Sequence, residues 1–154
     1  MIDIPLKDNQ VWKDGIFEFK VIHVPGHTSG HICFHFFNEK TVFTGDTLFS
    51  LGCGRIFEGS YEDMFNSLLR LKVLPPETKV YFGHEYTLNN AIFCQRFDQN
   101  NSELNKKILN IKKKLDSGFP SVPSTIKDEL NCNIFLRAKN QEEFSKLRDL
   151  KDNF

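Results

Sequence analysis

The sequence predicts a mixed α/β fold of the α+β kind, and three observations carry that expectation. Four short apolar or alternating runs, at 16–22, 31–37, 41–44 and 78–82, read as strands, and all lie before residue 86. One helical segment interrupts them, opened by Ser60-Tyr61-Glu62-Asp63 and stopped by Pro75-Pro76. Past Tyr86 the apolar residues recur at helical spacing, as in Leu104, Ile108, Ile111 and Leu115. The chain therefore divides into a strand-rich part, 1–86, and a helical part, 87–154.

Taken in order, residues 1–15 are polar and carry Pro5, Asn9, Asp14 and Gly15, which suits a loop or a frayed edge strand. The run from Ile16 to Ile22 alternates and ends at the Pro25-Gly26 turn. From His31 to Phe37 the alternation puts Ile32, Phe34 and Phe36 on one face and His31, Cys33, His35 and Phe37 on the other. Asn38-Glu39-Lys40 is a hairpin loop leading into 41–44. Residues 45–59 hold Gly45, Gly52, Gly54 and Gly59 and read as loop. The helix after Ser60 puts Met64, Phe65, Leu68, Leu69 and Leu71 toward one side. Helices are expected over 87–100, 102–116, from a Ser124 cap through Leu130, and over 141–150.

Composition narrows the function classes. At 154 residues the chain fits one ordinary domain, and 40% apolar content with 16 Phe supplies a core. Lys+Arg and Asp+Glu balance at 20 each, which argues against nucleic-acid or membrane-surface binding. No apolar run reaches the ~18 residues of a membrane span, and the N-terminus lacks the pattern of a secretory signal. The expected setting is cytoplasmic and reducing, with Cys33, Cys53, Cys94 and Cys132 as free thiols.

The chemistry concentrates at three strand ends. His27, Asp46 and His84 each follow a glycine, and each stands just after a β-rich run. Imidazole and carboxylate are what a borderline-soft divalent metal takes. His23, His27 and His31 imitate a helical stripe, but Pro25, Gly26 and Gly30 break any helix there, so those three need not share a face. His23 and His35 are read as ordinary structural histidines.

Three stretches carry a family resemblance. Gly26-His27-Thr28-Ser29-Gly30-His31, Gly45-Asp46-Thr47-Leu48-Phe49 and Gly83-His84-Glu85-Tyr86-Thr87 resemble the later motifs of the metallo-β-lactamase fold. Gly52-Cys53-Gly54-Arg55-Ile56-Phe57-Glu58-Gly59 and the closing 148–154 segment are similar to its glyoxalase II (hydroxyacylglutathione hydrolase) branch. The resemblance spans about residues 16 to 154. It implies the C-terminal half of an αββα sandwich followed by a helical glutathione-binding region. It also implies two metal ions, zinc with iron or manganese as alternatives, with His27 on one, His84 on the other and Asp46 bridging. The implied reaction is hydrolysis of S-D-lactoylglutathione to D-lactate and glutathione, by a water held and acidified between the metals. Arg55, Arg148 and Lys151 match cationic positions for the glutathione carboxylates, Tyr86 matches a hydrogen-bonding tyrosine, and Phe57 stands where some members have Tyr.

The family's first motif, His-x-His-x-Asp-His, does not occur, and no His precedes His23. With His27, Asp46 and His84 alone, each metal has one imidazole and a shared carboxylate, against the three protein ligands usual for catalytic zinc. The sequence therefore predicts weak metal binding and an uncovered sheet face, with self-association or a complementing chain to cover it. The alternatives are an inactive remnant, a module that binds glutathione adducts and, least favoured, a persulfide dioxygenase with one iron.

Overall fold

The protein is described by a computed structural model covering residues 3–154. Among these residues there are eight strands and six helices. The strands are β1 (Val11–Asp14), β2 (Phe17–His23), β3 (Ile32–Phe36), β4 (Thr41–Gly45), β5 (Leu48–Phe49), β6 (Gly52–Cys53), β7 (Lys79–Phe82) and β8 (Ser124–Thr125). The helices are α1 (Tyr61–Lys72), α2 (Thr87–Phe97), α3 (Ser102–Asp116), α4 (Ile126–Cys132), α5 (Ile134–Arg137) and α6 (Gln141–Asp152).

The main sheet runs β1-β2-β3-β4-β7-β8. Its first four strands form an antiparallel meander, as short polar connections allow. Strand β7 joins β4 in parallel, which requires a crossover, and α1 is the helix that makes it. Helix α1 begins with the expected capping box: Ser60 Oγ accepts from Asp63 N–H at 3.1 Å, and Asp63 Oδ2 accepts from Ser60 N–H at 2.8 Å. Such a cap is worth about 1 kcal/mol. Met64, Leu68 and Leu71 are buried under it, whereas Leu69 turns out to solvent instead of sharing their face.

Several elements differ from the sequence expectation: β5 and β6 pair within the stretch read as loop, and α5 is a further short helix. The 11–14 stretch is an ordered edge strand paired with β2. Ser124 belongs to a two-residue strand against β7, and Thr125 caps α4 in its place, its hydroxyl accepting from Asp128 N–H. The helical part thus adds a strand to the sheet of the first part. The core is continuous across residue 86: Ile22, Cys33, Val42 and Val80 on the sheet meet Phe93, Phe135 and Phe144 from the helices.

The opposite face of the sheet is aromatic. Phe34 pairs with Phe43 and Phe43 with Tyr81 in register, and the Phe43 and Tyr81 rings stack at 5.3 Å. Phe17 and Phe43 stay 58% and 45% exposed there. On β3 it is Cys33 and His35 that face the covered side.

Candidate active site

His27 sits in the turn after β2. Ser67 Oγ–H donates to Pro25 O at 2.7 Å and Arg70 Nη1 to His23 O at 2.6 Å, so α1 holds the turn from behind. The ring is oriented by one bond, from His27 Nδ1 to Arg55 O at 2.8 Å. A carbonyl can only accept, so Nδ1 carries the proton and Nε2 presents its lone pair. That Nε2 lies 3.6 Å from Asp46 Oδ2.

Asp46 leaves β4, and its backbone N–H donates to His31 Nε2 at 3.2 Å. His31 therefore supports the Asp46 turn and is not free to ligate. Asp46 Oδ1 is buried without a hydrogen-bond partner among the described residues and lies 3.3 Å from His84 Nε2. Two glycines permit this crowding. A Cβ on Gly83 would come within 2.6 Å of Asp46 Oδ1, and one on Gly54 within 1.9 Å of Asp46 O. His84 follows Gly83 off β7 and stacks on Tyr86 at 5.0 Å, with interplanar angle 18°.

Each carboxylate oxygen of Asp46 thus faces one imidazole, from opposite sides. The orphaned Oδ1, the His27 Nε2 lone pair and the N/O donor set are the kind of groups that would suit a divalent metal. Among the described residues no group of three or more His, Cys, Asp or Glu side chains, these three included, is arranged to hold a metal ion as it stands.

All eight residues singled out in the sequence line one cavity of about 580 Å³: His27, Asp46 and His84 with Arg55, Phe57, Tyr86, Arg148 and Lys151. Their states differ. Arg55, Phe57 and Tyr86 are exposed, and the Phe57 ring lies 5.0 Å from that of His27. Arg148 is only 3% exposed and already committed, with Nη1 donating to Cys53 O at 2.9 Å and Nη2 to Asp152 Oδ1 at 2.8 Å. Its Nε alone is buried without a partner. Arg148 is thus a bracing cation more than a free one, a role readable from its i,i+4 spacing to Asp152. Lys151 Nζ lies 5.1 and 5.0 Å from the Phe93 and Phe154 ring centres and donates to Asn89 O at 3.3 Å; burial pushes its pKa down.

The sequence reading missed Cys53, Asn89, Asn90 and Phe154 in the same lining. Asn89 and Asn90 sit one turn beyond Tyr86 on α2, so their place was implicit in the motif. All four cysteines are buried free thiols, with those of Cys33 and Cys94 pushed up to about 12 by burial. His23 bonds Ser29 O at 2.9 Å, as a structural histidine does, whereas His35 is buried in the sheet with its Nε2 lacking a partner among the described residues.

Residues 3–84 match the family model of the metallo-beta-lactamase superfamily. The chain belongs to that superfamily. The remainder, 85–154, matches the hydroxyacylglutathione hydrolase C-terminus. The chain is 60% identical over 153 residues to the hydroxyacylglutathione hydrolase of Pelagibacter ubique, covering 99% of this chain and 64% of the relative. It is 44% identical over 167 residues to that of Rhizobium etli, covering 99% and 65%. The chain thus spans a little under two thirds of the length of these two relatives. Among solved structures it is similar to ETHE1 from Myxococcus xanthus, with TM-score 0.67, 26% identity, and coverage of 96% of this chain and 52% of that one. The BLEG-1 B3 metallo-beta-lactamase shares the fold, with TM-score 0.61, 24% identity, and coverage of 88% and 49%.

Membership of the superfamily implies divalent metal binding. In the two relatives the matched stretch and the remainder are one polypeptide, so the expectation of a separate complementing chain gains no support. No helix among the described residues is long and apolar enough to cross a membrane.

Proposed function

We propose that this chain carries the glutathione-side wall and three metal ligands of a hydroxyacylglutathione hydrolase site, acting on S-D-lactoylglutathione to give D-lactate and glutathione. One observation carries the reading: a carboxylate with an imidazole at each oxygen opens into the same cavity as Arg55, Tyr86 and Lys151. His27 would hold one ion, His84 the other and Asp46 both, with zinc the first choice and iron or manganese compatible with the same donors. When bound, the ions supply Lewis-acid polarisation of the acyl carbonyl and a nucleophile at neutral pH.

The protein's own residues do the rest. Arg55 and Lys151 offer cations to the two glutathione carboxylates, and Arg148 Nε adds one buried donor. Tyr86 offers a hydroxyl, and Phe57 presents only an apolar face where a tyrosine would hydrogen-bond. The leaving thiolate needs no dedicated acid. Residues 1–86 thus provide the metal ligands, and 87–154 supply Arg148 and Lys151. The four unpaired thiols suit a cytoplasmic, reducing setting.

Two protein ligands per ion make for weak holding, and we propose low turnover by this chain alone. The ligand count also keeps open a second reading, a module that binds glutathione adducts without hydrolysing them. The likeness to ETHE1 is the lesser alternative, at 26% identity against 60%. We also propose that the aromatic sheet face pairs with a second copy of the chain; a monodisperse monomer by light scattering contradicts this. The deciding experiment measures metal content and S-D-lactoylglutathione hydrolysis on the purified chain. Turnover that rises with added Zn²⁺ and saturates with substrate supports the hydrolase; tight adduct binding without turnover supports the binding module.

A further inference from the structure

Two segments far apart in the sequence run side by side at the edge of the cavity. Phe57 N–H donates to His27 O at 3.2 Å, and Gly59 N–H donates to Gly26 O at 3.1 Å. Glu58 lies between them and adds its side chain. Its Oε2 accepts from Ser29 N–H at 2.8 Å and from Ser29 Oγ–H at 3.0 Å. The same segment supplies Arg55 O, the acceptor that orients the His27 ring.

We propose that Glu58 is a positioning residue: it fastens the 55–59 segment to the His27 turn and so keeps the His27 Nε2 lone pair aimed at the metal position. The inference rests on the metal reading above. Glu58 does not line the cavity; apart from its charge near His27, it acts through this fastening. Its two bonds are charge-assisted, the stronger kind, and they add to the two backbone bonds beside them. Arg55 and Phe57 are exposed, and the segment's other anchors are Ile56 packed against the core and the Arg55–Asp152 pair at 3.4 Å. Without Glu58 the segment can lift. Arg55 O then leaves His27 Nδ1, and the ring is free to take either tautomer. The proton on Nε2 in the second tautomer blocks that atom as a ligand. The lifted segment also carries the Arg55 and Phe57 side chains away from the cavity. One carboxylate therefore couples metal holding to the substrate wall.

The test compares wild type with Glu58→Ala, Glu58→Gln and Ser29→Ala, all as the full chain. The first readout needs neither metal nor activity: ¹⁵N NMR of the His27 ring in metal-free protein at about pH 8, above the ordinary imidazole value. Wild type should show the Nδ1–H tautomer alone, and Glu58→Ala an averaged pair of shifts. Glu58→Gln keeps an acceptor oxygen and should restore the wild-type spectrum. Ser29→Ala, which loses one of the two bonds, should fall between. The second readout is Co²⁺ affinity by titration of its visible absorption. Glu58→Ala should weaken it about tenfold, the low end for loss of an outer-shell partner.

A Glu58→Ala protein with an unchanged His27 tautomer overturns the proposal, even if its melting temperature falls. So does Glu58→Gln behaving as Glu58→Ala. If the hydrolase reading alone is wrong, no variant hydrolyses the thiolester, yet the tautomer difference between Glu58→Ala and Glu58→Gln persists.

Discussion

The two histidines that flank Asp46 are held in different ways. His27 has a side chain 19% exposed, a ring tied to Arg55 O and a turn fastened to α1 and to the 55–59 segment. His84 has a side chain 51% exposed, and its ring makes no hydrogen bond among the described residues. It is steadied by stacking on Tyr86 and by its neighbour Glu85, whose carboxylate accepts from Ser121 N–H at 2.9 Å and Ser121 Oγ–H at 2.7 Å. Ser121 belongs to the loop before β8. One proposed ligand is thus preorganised inside the strand-rich part, and the other depends on the helical part. A ligand held before the metal arrives costs less ordering when it binds, so the His27 side should be the tighter one.

Asp46 is common to both sides, so Asp46→Asn should have the largest effect. We expect metal affinity to fall at both positions by more than ~100-fold, beyond the loss typical of an outer-shell partner, read by equilibrium dialysis with elemental analysis. Retention of one ion would break the shared-carboxylate account. His27→Ala and His84→Ala should each remove one ion, and the ion left in His84→Ala should bind about tenfold more tightly than the one left in His27→Ala. Equal affinities would erase the contrast drawn between the two sides.

Glu85→Ala is the next test in size. It leaves the buried Ser121 N–H short of an acceptor, while the hydroxyl keeps Thr87 Oγ1 at 2.6 Å, a cost of about 1–3 kcal/mol by chemical denaturation. It should weaken the His84 ion while sparing the His27 ion. Loss at both sides would mean that the two parts do not act separately.

The smallest effect is a pH control within the helical part. Burial raises the pKa of Asp98, but bonds from Asn101 and Arg137 outweigh it and hold the group below its ordinary 3.8. A depressed carboxylate stabilises the fold fully above its unfolded pKa, and that contribution is lost as pH falls through the folded value. Denaturation midpoints should therefore drop on acidification below about pH 4. Asp98→Asn should flatten that slope, and an unchanged slope would assign it elsewhere.

Much of this was readable from the residues. Gly before His27, Asp46 and His84 marked strand ends where the backbone must approach closely, and the three side chains do converge. Alternation located the strands at 16–22 and 31–37 but could not say which face the helices cover. The face with Cys33 and His35 is the covered one, because Val42 and Val80 complete it across the sheet. Strand β8 has two residues and no periodicity to detect; its pairing is imposed by β7. The Asp152 contact of Arg148 is local to α6, but its bond to Cys53 O is a tertiary matter.

The central claim is that Asp46 separates two metal positions with one imidazole each. Zinc-edge X-ray absorption on the zinc-loaded chain tests it most directly. The account predicts an average of one imidazole per bound zinc, unchanged in His27→Ala while the bound zinc falls from two ions to one. Two or more imidazoles per zinc in the wild-type chain would mean that His27 and His84 share a single ion, and would contradict it.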